Sequence, residues 1–373
     1  MEAVRVLQIL TGLNRGGLET FVMNVYRTID KSIVQFDFLV YDSHGDYTQE
    51  ILELGGIIYE VPARNKGISF HKNAIDRFFR ENAYRYSAIH FHTSSLSSIY
   101  PLIYARKYHI KVRIIHSHSS SIAKNVSYRK LHLLMHYMNK SRLRFLATHY
   151  LGCSDKANKW LYSYTGIFHK SILVKNGIIL SDFHFSSSIR NAVRSEFGIS
   201  ENEVVLGHVG RFIPLKNHIY LLDILGQYIE KFGNNVKLML VGEGDTLPTI
   251  KTEVQLRKLE DYVIFTGSRP DVNYLLQGMD AFLLPSWFEG FPVVLVEAQA
   301  SGLAVVVSDK VTNSVNLSKN LKFLSIDAPP IEWAEVAYNL IKSYGRTDNS
   351  AKLKESGFDI ETITSNLLNI YMS

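Results

Sequence analysis

The chain has 373 residues, 46% of them hydrophobic and 20% charged, with a formal net charge of +6. High apolar content without a low-complexity tract excludes a disordered chain, and the length exceeds what one ordinary core serves, so two domains are expected. The single cysteine, Cys153, excludes an internal disulfide, suits a reducing compartment and reads as a small buried hydrophobe.

The charge is uneven. Residues 1–180 carry 24 Lys and Arg against 12 Asp and Glu, whereas residues 181–373 carry 17 against 23. A change from +12 to −6 between halves predicts domains with different partners. The opening "MEAVRVLQILTG" has an early acid and no cationic leader, so it reads as a strand rather than a signal peptide.

Further strands are predicted at 36–42, 57–62, 88–93, 112–118, 149–155 and 172–177. Helical patterns intervene, for example at 17–30, 71–83 and 97–109. Residues 176–188 read as a linker. The second half repeats the layout, with strands at 204–210, 236–242, 263–268, 281–286, 303–309 and 321–327. This alternation predicts an α/β fold of two doubly wound, Rossmann-like domains facing each other across a cleft, 1–180 and 181–358. Ligands are expected at the carboxyl ends of the strands. Ile360, Ile363, Leu367 and Tyr371 recur at helical spacing near the C-terminus. The longest apolar region, 281–308, is broken by Glu289, Pro292 and Glu297, so no transmembrane helix and a cytoplasmic location are expected.

Four stretches could carry chemistry. In "TGLNRGGLETF" (11–21), Gly16 and Gly17 follow a strand and open a helix, which admits an anion or simply makes a tight turn. The dinucleotide fingerprint G-x-G-x-x-G is absent. In "GHVGRFIPLKNH" (207–218), Arg211 and Lys216 follow a strand end, as a diphosphate clamp or as two solvated cations. In "PSWFEGFPVVLVEAQASG" (285–302), Glu289 lies on the loop after a strand and Glu297 on the following helix. Both acids could address one extended ligand's hydroxyls, with the Val293 and Val294 amides toward a phosphate. The alternative is a structural ion pair for Glu297 and an ordinary loop acid at 289. In "HSHSSS" (116–121) and "HFHT" (90–93), the alternating histidines are expected on opposite sides of their strands, so that at most one of each pair faces a ligand and joint metal ligation is disfavoured. No Cys or acid completes a metal site there, and no D-x-D pair occurs.

"GRFIPLKNH", "LVGEGD" (240–245), "FTGSRPDV" (265–272) and "PSWFEGFPVVLVEAQASGL" stand in one order. In that order they resemble the retaining GT-B glycosyltransferases of the family 4 group, including their E-x7-E motif. The resemblance spans essentially the whole chain and is most specific over 207–309. It implies a nucleotide-sugar donor, UDP-linked by default, held mainly by the second domain without metal or other cofactor. By matching position, Arg211 and Lys216 hold the diphosphate, Glu297 the ribose, and Glu289 the transferred sugar. Gly290, Phe291 and Val293 line the sugar and phosphate, and Ser268 and Arg269 approach the base. Gly16 and Gly17 close over the donor. His118, with His116 in reserve, stands near the transferred sugar. The family also implies that the C-terminal helix (359–373) packs on the N-terminal domain. The chain departs from the pattern in having Gly302-Leu303-Ala304 for Gly-x-Pro and in lacking an acid within 311–316. Alternatives within reach of the same motifs are a catalytically silent partner subunit or a nucleotide-sugar 2-epimerase.

The segment 123–150 carries Lys124, Arg129, Lys130, Lys140, Arg142 and Arg144 and no acid, with Leu131, Leu134, Met135 and Met138 at helical spacing. A basic amphipathic helix predicts an anionic membrane surface as partner, with peripheral placement and a lipid-linked saccharide as acceptor. Nucleic acid is not expected, since no motif for it is present.

Overall fold

The computed structural model describes residues 3–122 and 128–373. The chain forms two compact units, one of residues 1–178 and 357–373, the other of 179–356.

The first unit is built on a seven-stranded sheet in the order β3-β2-β1-β4-β5-β6-β7. Its strands are β1 (Val4–Ile9), β2 (Val34–Val40), β3 (Ile58–Glu60), β4 (Ala88–Thr93), β5 (Val112–Ser117), β6 (His149–Gly152) and β7 (Ile172–Leu173). Every pairing is parallel. A parallel sheet covered on both faces needs apolar side chains pointing both ways, which is why "VQFDFLV" is buried at all seven positions of β2. The one charge inside that run, Asp37, is met by Arg5 and by the Tyr86 hydroxyl.

The second unit has a six-stranded parallel sheet ordered β10-β9-β8-β11-β12-β13. The strands are β8 (Val204–Val209), β9 (Val236–Val241), β10 (Val263–Gly267), β11 (Ala281–Leu284), β12 (Ala304–Ser308) and β13 (Leu321–Leu324). Its core joins Leu206, Leu238, Leu283 and Val306 to the helices His218–Phe232 and Pro330–Tyr344.

In each sheet the winding direction reverses once, between β1 and β4 and between β8 and β11. At such a switch point the connections leave in opposite directions and open a crevice at the strands' carboxyl ends.

The expected strand at 172–177 is only two residues long. Val174 still donates to Gly152, but Gly177 packs against Phe358 and Ile363 instead of continuing the sheet. The expected linker at 176–188 is ordered. Ile178 exchanges backbone bonds with Phe358 (2.9 Å) and Ile360 (3.0 Å), and a helix begins at Ser187 with Ser186 as its cap. The C-terminal helix, Ile360–Tyr371, starts on an Asp359 cap and belongs to the first unit. Its stripe Ile360, Ile363, Leu367 and Tyr371 is fully buried.

Candidate active site

In the second unit the switch point gathers what the sequence keeps apart. Strand β8 ends at Val209, and the chain turns through Gly210, Arg211 and the turn Pro214–Lys216. Asn217 adopts left-handed dihedrals and feeds the helix His218–Phe232. Two glycines of "LVGEGD" hold this turn from the neighbouring strand end. Gly242 (φ 136°) and Gly244 (φ 151°) take conformations that L side chains rarely adopt, and a Cβ at Gly244 would stand 2.8 Å from the Phe212 nitrogen. That closeness lets Phe212 donate to the Glu243 carbonyl at 2.8 Å and accept from Thr246 at 3.0 Å.

Strand β11 lies beside β8, and the loop after it is pinned to the same turn by Trp287 N–H donating to Leu215 O at 3.0 Å. There Lys216 Nζ donates to Glu289 Oε1 at 2.6 Å. The two side chains are only 15% and 14% exposed, so this is not a loose surface pair. Arg211 is exposed beside the turn, and its guanidinium makes no ion pair among the described residues.

The helix Val293–Ala300 begins directly after Pro292, with no side chain capping it. Its leading amides, at Val293 and Val294, are therefore an electropositive site at the sheet's edge. Glu297 sits one turn further along, half-buried and without an ion pair among the described residues, so the structural-pair alternative is not what the fold shows. Burial pushes its carboxyl up to about 7. Gly290 is exposed with open space where a Cβ would stand, and Phe291 is half-buried. Ser268 is exposed after β10. The Arg269 guanidinium is committed to Asp271 (2.7 and 2.8 Å) and Glu196 (2.8 Å), which leaves that position's backbone as its free group.

In the first unit Gly16 caps the helix Gly17–Thr28 in an extended conformation. The Glu19 carboxylate folds over this turn, where a Cβ at Gly16 would collide with it, and burial raises its pKa. Glu19 was not singled out by sequence; an acid in a helix's first turn is an ordinary dipole partner.

The histidines require a correction. His90 and His92 do not point to opposite sides of β4, nor do His116 and His118 along the end of β5. Residues two apart share one face of a strand, and adjacent parallel strands place both pairs on the same face. The ring centroids of His90 and His92 are 4.0 Å apart and those of His116 and His118 are 4.1 Å apart. His92 Nδ1 lies 2.9 Å from His118 Nε2, and His90 Nε2 lies 3.2 Å from His116 Nδ1. His90, His92 and His116 are also close enough to one another to bear on a metal, which the sequence reading discounted. Desolvation holds all four well below the usual imidazole range, His118 at about 3.

A cavity of about 780 Å³ opens next to this cluster within the same unit. His92, Arg64, Tyr41, Phe91, Tyr128 and His132 are among its lining residues. The helix Arg129–Lys140 borders it. Of the basic segment 123–150, residues 123–127, with Lys124, lie outside the described residues. Leu131, Leu134 and Met138 are 49%, 57% and 65% exposed, so this apolar stripe is not core packing. Arg129, Lys130, Arg142 and Arg144 are exposed, but Lys140 is turned inward. Its ammonium donates to Ser163, and burial lowers its pKa.

Residues 189–354, within the second unit, match the family described as glycosyl transferases group 1. The whole chain is 35% identical over 376 residues to the Bacillus subtilis (strain 168) protein "Putative glycosyltransferase EpsF", covering 98% of this chain and 96% of the relative. The chain belongs to the group 1 glycosyltransferases. This glycosyltransferase is also 27% identical to the capsular polysaccharide biosynthesis glycosyltransferase CapH of Staphylococcus aureus, over 99% of both chains. Its fold is that of the crystal structure of Anabaena Alr3699/HepE in complex with UDP and glucose. The TM-score is 0.77 at 18% identity, over 99% of this chain and 100% of that one. The two Rossmann-like units are those of the GT-B architecture. Among the described residues, no helix of the glycosyltransferase is long and apolar enough to cross a membrane.

Proposed function

We propose that this glycosyltransferase moves a hexose or N-acetylhexosamine from a nucleotide sugar, with uridine as the default base, to a saccharide acceptor in surface polysaccharide biosynthesis. Transfer keeps the anomeric configuration, as in the family 4 group, and needs no metal. The observation that carries this reading is the meeting of Lys216 and Glu289 at the β8/β11 switch point, with Arg211 and the uncapped Val293–Ala300 helix beside them.

A departing nucleoside diphosphate accumulates negative charge. Lys216, Arg211 and the Val293 and Val294 amides are aimed at where that charge would develop, and fixed dipoles of this kind are the largest source of rate enhancement in many enzymes. When the diphosphate takes Lys216, Glu289 is released to accept hydrogen bonds from the transferred sugar. Glu297 meets the ribose hydroxyls, and Ser268 and the Arg269 backbone approach the base. Gly290 and Phe291 line the sugar. The family resemblance gives Gly16 and Gly17 to the donor and His118 to the transferred sugar. The acceptor oxygen bonds to the anomeric carbon on the face from which the diphosphate departs, and the leaving phosphate takes the acceptor proton.

The cavity in the first unit suits the acceptor, because it combines hydroxyl-bearing and cationic walls with apolar ones. The exposed Leu131, Leu134 and Met138 stripe with Arg129, Lys130, Arg142 and Arg144 supports an anionic membrane surface as partner and a lipid-linked saccharide as acceptor, with the enzyme peripheral at the inner face in this reading. The capsule relative and the UDP-bound neighbour support the polysaccharide and uridine readings. The assembled Lys216–Glu289 pair argues against a silent partner subunit, and E-x7-E fits transfer better than it fits a 2-epimerase.

The test is a donor screen. UDP-, GDP- and dTDP-sugars are offered, and thermal shift and nucleoside diphosphate release are followed. A UDP-sugar should raise the melting temperature and release UDP when acceptor is present. Stabilisation by none of the three would refute the reading.

A further inference from the structure

Gln8 stands one residue from the carboxyl end of β1 and is 1% exposed, so its side chain does not reach solvent. Its amide oxygen lies 2.9 Å from His92 Nε2, and its amide nitrogen lies 3.4 Å from the Tyr371 hydroxyl on the C-terminal helix. An amide oxygen only accepts and an amide nitrogen only donates, so the two ends set the direction of two separate hydrogen-bond chains.

In the first chain the amide oxygen requires a proton on His92 Nε2. Burial keeps that ring neutral, so His92 Nδ1 is bare. The nitrogen facing it at 2.9 Å, His118 Nε2, must then carry the bridging proton. His118 is neutral as well, which leaves its Nδ1 without a proton, and that buried atom has no partner among the described residues. In the second chain the amide N–H points to Tyr371, whose hydroxyl donates onward to His90 Nδ1 at 2.8 Å. His90 Nε2–H then donates to His116 Nδ1 at 3.2 Å. The Phe21 ring holds both chains in place, edge-on to His116 at 5.4 Å and tilted against His118 at 6.0 Å.

This pattern favours a proton network over a metal site. His90, His92 and His116 lie within ligating distance of one another, but in each ring the lone pair is already taken by Tyr371, His118 or His90. Only His118 keeps an unspent one.

We infer that Gln8 is a positioning residue: through His92 it fixes His118 in one neutral tautomer, with the proton on Nε2 and a bare, hydrogen-bond-accepting Nδ1. A buried, neutral acceptor at this position fixes how the ring is held and cannot serve as a proton donor to a phosphate. The wiring stands on the hydrogen bonds between buried, neutral rings; its effect on turnover rests on the reading of His118 given under Proposed function.

Selective 15N-histidine labelling of the full chain tests the wiring directly. In the wild type, His92 and His118 should both show Nε2–H, with an N–N coupling across the hydrogen bond from His118 Nε2 to His92 Nδ1. A proton on His92 Nδ1, or no such coupling, overturns the inference. Gln8→Leu should mix the His118 tautomers, whereas Tyr371→Phe, which removes the partner of the amide nitrogen and leaves His92 as the partner of the amide oxygen, should leave them as they are. Gln8→Leu should also lower kcat about tenfold with the donor KM held within about twofold, the split expected for a lost transition-state alignment. Mixed tautomers with unchanged kcat would overturn the positioning role. Full activity in His118→Ala beside the expected wild-type spectrum would count against the reading of His118 while the wiring stood.

Discussion

Lys216 and Glu289 are joined at 2.6 Å across 73 positions of sequence. They meet because β11 is inserted next to β8 and because the Trp287 amide ties the second loop onto the first. Each residue is the other's counter-charge until a ligand arrives. In the proposed reading a diphosphate would compete for the lysine and a sugar hydroxyl for the carboxylate, so donor binding would exchange one internal pair for two external contacts.

Removing either member should therefore affect chemistry more than folding. Glu289→Ala is expected to keep a native circular-dichroism spectrum and lose transfer, by about 10²–10³ in kcat if the contact acts in the transition state. Lys216→Ala should instead weaken nucleoside diphosphate binding, read by calorimetry. Unchanged turnover in Glu289→Ala would remove it from the site.

Glu297 predicts a pH signature of its own. Its carboxyl is raised to about 7 in the folded chain, above the roughly 4.3 of an unfolded glutamate, so the folded state holds the proton more tightly. Between those values the contribution of Glu297 to stability falls as pH rises, and above about 7 it is flat. Melting curves from pH 5 to 8 should show Glu297→Gln gaining on the wild type as pH increases, with the gain levelling off above about 7. A constant offset would contradict the assigned environment.

The histidine cluster acts in the opposite sense. Its folded pKa values lie below the roughly 6.5 of free imidazole. The stability it contributes is fully present above that value and is lost as pH falls through the acid range toward the folded values. A first unit whose chemical-denaturation midpoint is the same at pH 5 and pH 7.5 would refute burial of four neutral rings.

Gly244 should tolerate no side chain. With φ at 151° and Phe212 backbone atoms within 3 Å of where a Cβ would stand, Gly244→Ala is expected to cost about 1–3 kcal/mol. It should also raise the donor KM by shifting the Arg211 segment. Denaturant melts and donor titration read the two effects.

If the exposed stripe of the helix Arg129–Lys140 meets a bilayer, Leu134→Glu with Met138→Glu should abolish flotation with anionic vesicles at low salt while the melting temperature stays put. Both side chains are more than half exposed, so folding does not depend on them. A wild type that fails to float would sink the peripheral reading itself.

How much of this was legible in the sequence differs by element. The buried strands announced themselves because a parallel sheet demands continuous apolar runs, as in "AFLL" and "AVVVS". The places of Arg211, Lys216, Glu289 and Glu297 at strand ends and on a helix were legible because strand ends and helix starts are marked by glycine and proline. Contacts set by strand order were not. Nothing in the local sequence pairs Lys216 with Glu289, or Gln8 with Tyr371 across 363 positions. The histidines were misjudged for a simpler reason, since a period of two puts His116 and His118 on one face. Lys140 was misassigned because a charge-rich helix reads as wholly solvated unless a partner such as Ser163 is known.

The most direct test of the account is nucleoside diphosphate release from a UDP-sugar with a lipid-linked saccharide acceptor, measured side by side for the wild type, Glu289→Ala and Lys216→Ala. The account predicts acceptor-dependent release of UDP by the wild type, loss of turnover in Glu289→Ala and weakened donor use in Lys216→Ala. Equal release by all three proteins would contradict it.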